Sequence, residues 1–78
     1  MPKFKINAGE MVELNPTVTA DVVGAAVERQ MTSLDNPGFC VVCGEEADGC
    51  EPDARRYRCE SCHNMSVYGA EELLMMIA

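Results

Sequence analysis

The chain has 78 residues and a formal net charge of −7 at pH 7, from 13 acidic and 6 basic side chains. A chain this short forms one small domain, whose apolar core alone supplies only about 3–5 kcal/mol of stability, so a metal or another cross-link is expected. The negative charge argues against a nonspecific nucleic-acid binder and against a membrane-surface protein, because both rely on cations that contact phosphates.

The chain contains five cysteines, which is a high number for its length. They fit either a secreted disulfide scaffold or a metal site in a reducing compartment. The count is odd, and no apolar segment typical of a secretory leader follows the first residues. No apolar run approaches the ~20 residues that span a bilayer. We therefore expect a cytoplasmic protein that binds metal and does not enter a membrane.

Residues 1–37 are expected to form an N-terminal extension that begins with a β-hairpin. Apolar and polar residues alternate on both sides of the turn-prone Asn7-Ala8-Gly9, which predicts a hairpin over residues 3–14. Two strands alone are marginally stable, so one face of the hairpin should pack against the rest of the chain. The residues expected on this buried face are Phe4, Ile6, Val12 and Leu14.

An amphipathic helix is predicted from about residue 19 to residue 34. Thr17 or Thr19 can cap its N-terminus, and Glu28 and Arg29 lie away from its apolar face. This face either packs on the metal-binding half of the same chain or forms a contact with a partner or with a second copy. The apolar residues at helical spacing are Val23, Ala26, Val27, Met31 and Leu34.

Two cysteine pairs dominate residues 38–78. Cys40-Val-Val-Cys43 and Cys59-Glu-Ser-Cys62 are separated by fifteen residues, which matches the spacing of four-cysteine zinc sites. Each tight turn places two sulfurs on one side, and two such turns together offer four thiolates at the corners of a tetrahedron. This arrangement suits Zn²⁺, and Fe less well, and a redox-active disulfide is a weaker alternative. The predicted metal ligands are Cys40, Cys43, Cys59 and Cys62.

Three neighbouring residues need separate consideration. Gly44 follows the first pair, where a positive φ angle lets the backbone turn around the sulfurs, and His63 occupies the matching place after the second pair. Four cysteines already complete a tetrahedral site, so His63 is expected to be a turn residue and not a ligand. Cys50 is expected to be a bystander thiol, and regulation by its oxidation is the alternative.

A basic cluster precedes the second cysteine pair and consists of Arg55, Arg56, Tyr57 and Arg58. Alternation along a strand predicts Arg56 and Arg58 on one face and Tyr57 on the other. Arginines beside a tyrosine can bind a phosphate and a base, as in small nucleic-acid-binding modules. The opposing expectation is internal neutralisation by the nearby acids Glu51, Asp53 and Glu60.

After the second pair, a short strand over residues 65–68 and a helix over residues 70–77 are predicted, with acidic side chains at the start of the helix. The apolar residues of this helix should either complete the core or form an adaptable contact surface. These residues are Leu73, Leu74, Met76 and Ile77.

Residues 38–73 resemble a group of small, largely uncharacterised zinc-ribbon proteins from bacteria and their phages. The resemblance implies a zinc ribbon in which the four paired cysteines bind the metal, and it implies no particular activity. His63 and Cys50 depart from the simplest ribbon pattern. The stretches that carry the resemblance are Gly38-Phe39-Cys40-Val41-Val42-Cys43-Gly44, Glu51-Pro52-Asp53-Ala54-Arg55, Tyr57, Cys59-Glu60-Ser61-Cys62 and Val67-Tyr68-Gly69-Ala70-Glu71-Glu72-Leu73.

The expected fold is therefore small α+β: a rubredoxin-like four-cysteine zinc ribbon, preceded by an amphipathic helix and followed by a short C-terminal helix, in one compact unit. The expected function is a structural zinc ribbon that acts as a protein-interaction module, as an acidic inhibitor or adaptor. One alternative is nucleic-acid binding through the basic cluster, and another is rubredoxin-like electron transfer by iron. With one histidine and no glycine-rich phosphate loop, the sequence predicts no enzyme.

Overall fold

The fold contains two α-helices and two antiparallel sheets, which confirms the small α+β class. It is described here from a computed structural model that covers residues 3–32, 36–49 and 54–77. Leu34 and Cys50 lie outside these residues, as do Glu51 and Asp53, so the predictions made for their side chains stay predictions.

The chain begins with the hairpin expected from its alternating pattern. Strand β1 (Lys3–Ile6) pairs antiparallel with strand β2 (Glu10–Glu13), and the connecting turn contains Asn7 at a φ angle of 49°. Phe4 and Ile6 are buried, and Val12 and Leu14 are partly buried against the same core. The opposite face of β1 carries exposed lysines.

Helix α1 (Ala20–Thr32) is capped by Thr19, whose Oγ1 accepts a hydrogen bond of 3.2 Å from the backbone N–H of Val22. Val23 and Ala26 are fully buried in the main core. Met31, which the sequence placed on the same face, is 79% exposed. The difference follows from helix geometry: at about 100° per residue, Met31 lies roughly 80° from Val23, on the side away from Ala26.

The cysteine-bearing half forms a four-stranded antiparallel sheet in the order β4-β3-β6-β5. Its strands are β3 (Gly38–Cys40), β4 (Glu46–Ala47), β5 (Tyr57–Arg58) and β6 (Met65–Gly69). The first cysteine pair lies at the turn of the β3–β4 hairpin, and the second lies at the turn of the β5–β6 hairpin. Because β3 and β6 are antiparallel neighbours, the end of β3 lies beside the start of β6. Both cysteine turns are therefore at the same end of the sheet.

The two faces of this sheet have different neighbours. Phe39 and Tyr68 belong to the main core, and the ring of Tyr68 meets the ring of Phe4 edge to face at a centroid distance of 5.2 Å. Cys40 and Val67 belong to a second, smaller buried cluster. Since successive side chains of a strand point to opposite faces, the sheet separates the cysteines from the main core.

Helix α2 (Ala70–Ile77) packs against α1 and completes the main core. Leu73 is fully buried and Leu74 and Ile77 are partly buried, as expected for core residues, whereas the 43% exposure of Met76 fits the alternative of a contact surface. No helix in the described part of the chain is long and apolar enough to cross a membrane.

The turn of the first hairpin is attached to the second cysteine turn. The backbone N–H of Asn7 donates to the carbonyl of Met65 at 3.0 Å, and the N–H of Met65 donates back to Asn7 Oδ1 at 2.8 Å. Asn7 Nδ2 also donates to Asn64 Oδ1 at 3.1 Å. The N-terminal hairpin is thus held against the cysteine turn by hydrogen bonds as well as by apolar packing.

The segment after the hairpin is attached to the first cysteine turn in the same way. The N–H of Asn15 donates to the carbonyl of Val41 at 2.9 Å, and Asn15 Nδ2 donates to the carbonyl of Val42 at 2.8 Å. Asn15 Oδ1 accepts hydrogen bonds from the backbone N–H and the hydroxyl of Thr17. Thr17 then approaches Gly44 so closely that a Cβ atom there would lie 2.3 Å from Thr17 Oγ1.

We expect Gly44→Ala to destabilise the protein more than Gly49→Ala. Both glycines have positive φ angles, 79° and 73°, but a Cβ at Gly49 would meet no atom within 4 Å. Gly49→Ala should therefore cost only the backbone strain, about 1–2 kcal/mol. Gly44→Ala should cost about 2–4 kcal/mol, because Thr17 must also move. Thermal and denaturant unfolding of the two variants measures the difference, and equal losses would contradict the close approach of Thr17.

Candidate metal centre

The fold brings all four predicted ligands together. The Sγ atoms of Cys40 and Cys62 are 3.6 Å apart, as are those of Cys43 and Cys59, and all four sulfurs lie within 4.8 Å of one another. A tetrahedron with Zn–S bonds of about 2.3 Å has edges of about 3.8 Å between sulfurs. The four cysteines can therefore hold one metal ion, and each turn contributes two sulfurs.

The two cysteine turns share one backbone design. In the first, the N–H of Gly44 donates to the carbonyl of Cys40, and in the second the N–H of His63 donates to the carbonyl of Cys59, both at 2.9 Å. Gly44 and His63 both have positive φ angles, at 79° and 64°. The predicted equivalence of these two positions is therefore observed in the backbone.

The side chain of His63 is not part of the sulfur cluster, which consists of the four cysteines. It is exposed, and its Nδ1 lies 3.2 Å from Nη2 of Arg58. A guanidinium group can only donate, so Nδ1 is the acceptor and the proton of a neutral ring resides on Nε2. The expectation that His63 acts as a turn residue agrees with this placement.

Polar groups around the sulfurs are positioned to support thiolates. The hydroxyl of Ser66 is fully buried and lies 3.0 Å from Cys40 Sγ and 4.0 Å from Cys62 Sγ. Asn64 Nδ2 donates to Cys62 Sγ at 3.5 Å, and the N–H of Cys43 lies 3.4 Å from Cys40 Sγ. Sequence reasoning missed Ser66 and Asn64. The only available signal was their position immediately after the second pair, where hydroxyl and amide side chains are common in any turn.

The pKa values of Cys62 and Cys43 are shifted in opposite directions within the cluster. Burial raises the pKa of Cys62, but hydrogen bonds from the backbone and side chain of Asn64, and from Cys40 and Cys59, outweigh it and lower the pKa to about 6. Desolvation, together with hydrogen bonds to Cys40 and Cys59, raises the pKa of Cys43 to about 12. Without a cation, the cluster therefore favours a thiolate at Cys62 over one at Cys43.

The sulfurs are not joined as disulfides. All four cysteines are free, and the two shortest sulfur separations of 3.6 Å far exceed the S–S bond length of about 2.05 Å. The close pairs also connect one turn with the other. A redox pair within a single Cys-x-x-Cys turn therefore has less support than a shared metal site.

The basic cluster is divided between two surfaces. Arg55 forms an ion pair with Glu72, and Arg56 adopts a positive φ angle of 57° just before β5. Arg56 lines a groove beside the N-terminal hairpin, whereas Tyr57 and Arg58 line an acidic cleft beside β4. The prediction that Arg56 and Arg58 share one face is therefore wrong. Simple alternation requires extended backbone throughout, and the left-handed conformation at Arg56 interrupts it.

Comparison with family models, with curated proteins and with solved structures finds no match to this chain. The chemistry of the site therefore has to be argued from its own geometry.

We expect Ser66→Ala to weaken metal binding by about 10–100-fold, because hydrogen bonds to ligand atoms orient the ligands and stabilise their charge. The matched control is Ser61→Ala, which removes an exposed hydroxyl within the second cysteine turn. Competition with a chromophoric zinc chelator measures both affinities. Equal affinities of the two variants would show that the Ser66 hydroxyl does not support the site.

Metal affinity should fall on acidification from about pH 8 to about pH 5, because protons compete with the ion for the thiolates. The fall should steepen below pH 6, where Cys62 also takes up a proton. The sign follows from the lowered pKa: the thiolate of Cys62 is favoured above that value and lost below it. The same chelator competition at several pH values tests this, and a pH-independent affinity would contradict coordination by thiolates.

Proposed function

We propose that the four cysteines hold one structural Zn²⁺ and that the chain is a four-cysteine zinc ribbon acting as a protein-interaction module. The observation that supports this most directly is the convergence of four sulfurs within 4.8 Å of one another. Tetrahedral sulfur coordination is typical of structural zinc, which closes the coordination sphere with protein ligands. The role proposed for the ion is to join the two cysteine turns.

A structural role for the metal is favoured over a catalytic one. Catalytic zinc keeps one position open for water or substrate, and four thiolates leave none. The single histidine of the chain lies beside Arg58 and not beside the sulfurs. We therefore propose that the chain is not an enzyme and that its surfaces carry the function.

The proposed interaction surface lies where apolar side chains stay exposed after the helices have packed. Helix α1 buries Val23 and Ala26 and packs on α2, whereas its Val22 and Met31 stay exposed. At the end of α2, Met75 is 80% exposed and Met76 is also exposed. Unlike Met31 of α1, they line one groove together with the exposed Met11 of the hairpin, and this grouping favours a contact through α2. The net charge of −7 supports an adaptor or inhibitor that meets charged surfaces of a partner.

Two alternatives remain for the site and the surface. Iron in the same four thiolates would give a rubredoxin-like electron carrier, which differs from a zinc protein in colour. Nucleic-acid binding through Arg55, Arg56, Tyr57 and Arg58 has less support, because Arg56 and Arg58 line different surfaces. Capture experiments with the immobilised chain should accordingly enrich a protein and not nucleic acid.

The purified protein should contain one zinc ion per chain and be colourless. Replacing a ligand, as in Cys43→Ser, should abolish stoichiometric zinc and unfold the cysteine-bearing half, because structural zinc contributes roughly 10–16 kcal/mol of apparent binding free energy. Elemental analysis combined with native mass measurement gives the ion and the oligomeric state together.

The matched control is Cys50→Ser, which should leave the zinc content unchanged. Loss of zinc in that variant would overturn the ligand assignment. A coloured protein that contains iron would contradict the zinc proposal and support the electron-transfer alternative.

A further inference from the structure

A groove between the N-terminal hairpin and the end of helix α2 concentrates the positive charge of this acidic chain. Four of the six basic residues line it: Lys3 and Lys5 from β1, and Arg55 and Arg56 from the segment before β5. Among the described residues, Glu72 is the one acidic residue in its lining, so the described lining has a net charge of +3. The groove has a volume of about 530 Å³, within the range of ligand-binding sites. We refer to it below as the basic groove.

Flexible apolar side chains complete the basic groove. Met11 lies opposite Lys5 in the strand register and is 54% exposed, and Met75 and Met76 extend from α2 on the other side. Exposed apolar side chains that occur together mark contact surfaces more often than isolated ones do. Methionine adapts its shape to different partners, so these residues suit apolar side chains of varied form.

Two contacts fix the walls of the basic groove. The guanidinium of Arg55 is held by the carboxylate of Glu72, whose side chain is only 8% exposed. The hydroxyl of Tyr68 donates to the carbonyl of Lys5, which ties β1 to the sheet. The lysine and arginine cations are therefore displayed from a preorganised backbone, which reduces the entropy cost of binding.

Arg56, which lines the basic groove, has a strained backbone conformation. Its φ angle of 57° costs a residue with a Cβ about 1–2 kcal/mol. Strain of this kind persists where the surrounding structure determines it, and it is frequent at functional sites. The effect here is to direct Arg56 to the basic groove, while Tyr57 and Arg58 line the acidic cleft.

The charge pattern selects among the anions that could bind. Nucleic acid gains most of its affinity from many phosphates in contact with cations, and a chain of net charge −7 repels such a polyanion outside the groove. Single strands also need aromatic faces for stacking, and the one aromatic side chain in the lining, Tyr68, is buried. A short peptide segment with few carboxylates needs no aromatic surface for stacking. It is also repelled little by the acidic side chains outside the groove, since charges separated by more than about 8 Å are largely screened at physiological salt.

A second copy of this chain is also a poor occupant. A two-fold symmetric dimer through this surface would place two grooves of like charge against each other, which is repulsive. A purely acidic peptide is a poor occupant as well, because it has no apolar groups to contact the methionines.

We propose that the basic groove binds an acidic peptide segment of a partner protein, in which carboxylates face Lys3, Lys5 and Arg56 while apolar side chains contact the methionines. This inference rests on the proposed interaction function and names its surface and its partner class. About ten residues in extended conformation reach across the 34 Å longest dimension of the molecule, which sets the length of peptide to test.

The test uses the zinc-loaded full chain as bait for a displayed library of random peptides of that length. Enriched sequences should combine Asp or Glu with Leu, Phe or Met, and a labelled synthetic representative should bind in fluorescence anisotropy. Its affinity should fall with rising salt. Replacing its acids with amides, or its apolar residues with serine, should each weaken binding by about tenfold or more.

Two double variants with the same change in net charge locate the site. Lys3→Gln with Arg56→Gln should weaken peptide binding by about tenfold or more, while Arg29→Gln with Arg58→Gln, outside the groove, should change it by less than about twofold. Met75→Ser tests the apolar side independently and alters only an exposed residue. If the first double variant does not fold, Arg56→Gln alone takes its place.

Several outcomes would overturn the proposal: no enrichment, enriched peptides without acids, equal effects of the two double variants, or tighter binding of a single-stranded oligonucleotide at the same groove. Zinc content and unfolding midpoint are measured for every protein. Loss of peptide binding with zinc retained is then assigned to the basic groove, whereas a wild-type chain that holds no zinc would contradict the proposed function instead.

Discussion

The structure depends on the approach of two cysteine turns to within the distance that one ion can bridge. Each turn supplies only two sulfurs, so four sulfurs around one ion require both turns. The antiparallel pairing of β3 and β6 puts both turns at the same end of the sheet, and the separation of 3.6 Å between sulfurs of different turns follows from that pairing. Because a chain of 78 residues has a limited core, a metal ion held between the two turns would contribute a large share of its stability.

Residues of the N-terminal extension contact both cysteine turns and connect them with the main core. Asn7 contacts the second cysteine turn and Asn15 contacts the first, so each turn is supported by a segment far away in sequence. Residues on both sides of the predicted boundary at 37 and 38 contribute to the main core, with Phe4 packed on Tyr68 as one example. The N-terminal extension is thus integrated with the cysteine-bearing half and supplies one wall of the basic groove.

Local patterns predicted the regular elements well, because each depends on neighbours in sequence. The alternation around Asn7, the cap at Thr19 and the paired cysteines all have short-range signals. The exposure of Met31 and the split between Arg56 and Arg58 were missed, since both depend on how an element is rotated or on one unusual φ angle. The contacts of Asn7, Asn15 and Ser66 were missed because a single polar residue carries no periodic signal for a partner elsewhere in the chain.

The hydrogen bonds between the two ends of the chain impose an order on its assembly. Asn7 contacts Asn64 across 57 positions, and Tyr68 reaches Lys5 across 63. During synthesis the first hairpin leaves the ribosome before its partners, so it cannot dock until residues 64–68 have also emerged. Contacts of such high sequence separation carry a larger loop-closure cost than local contacts do. The basic groove is lined by both the first hairpin and α2, so a chain that stops before α2 lacks one of its walls.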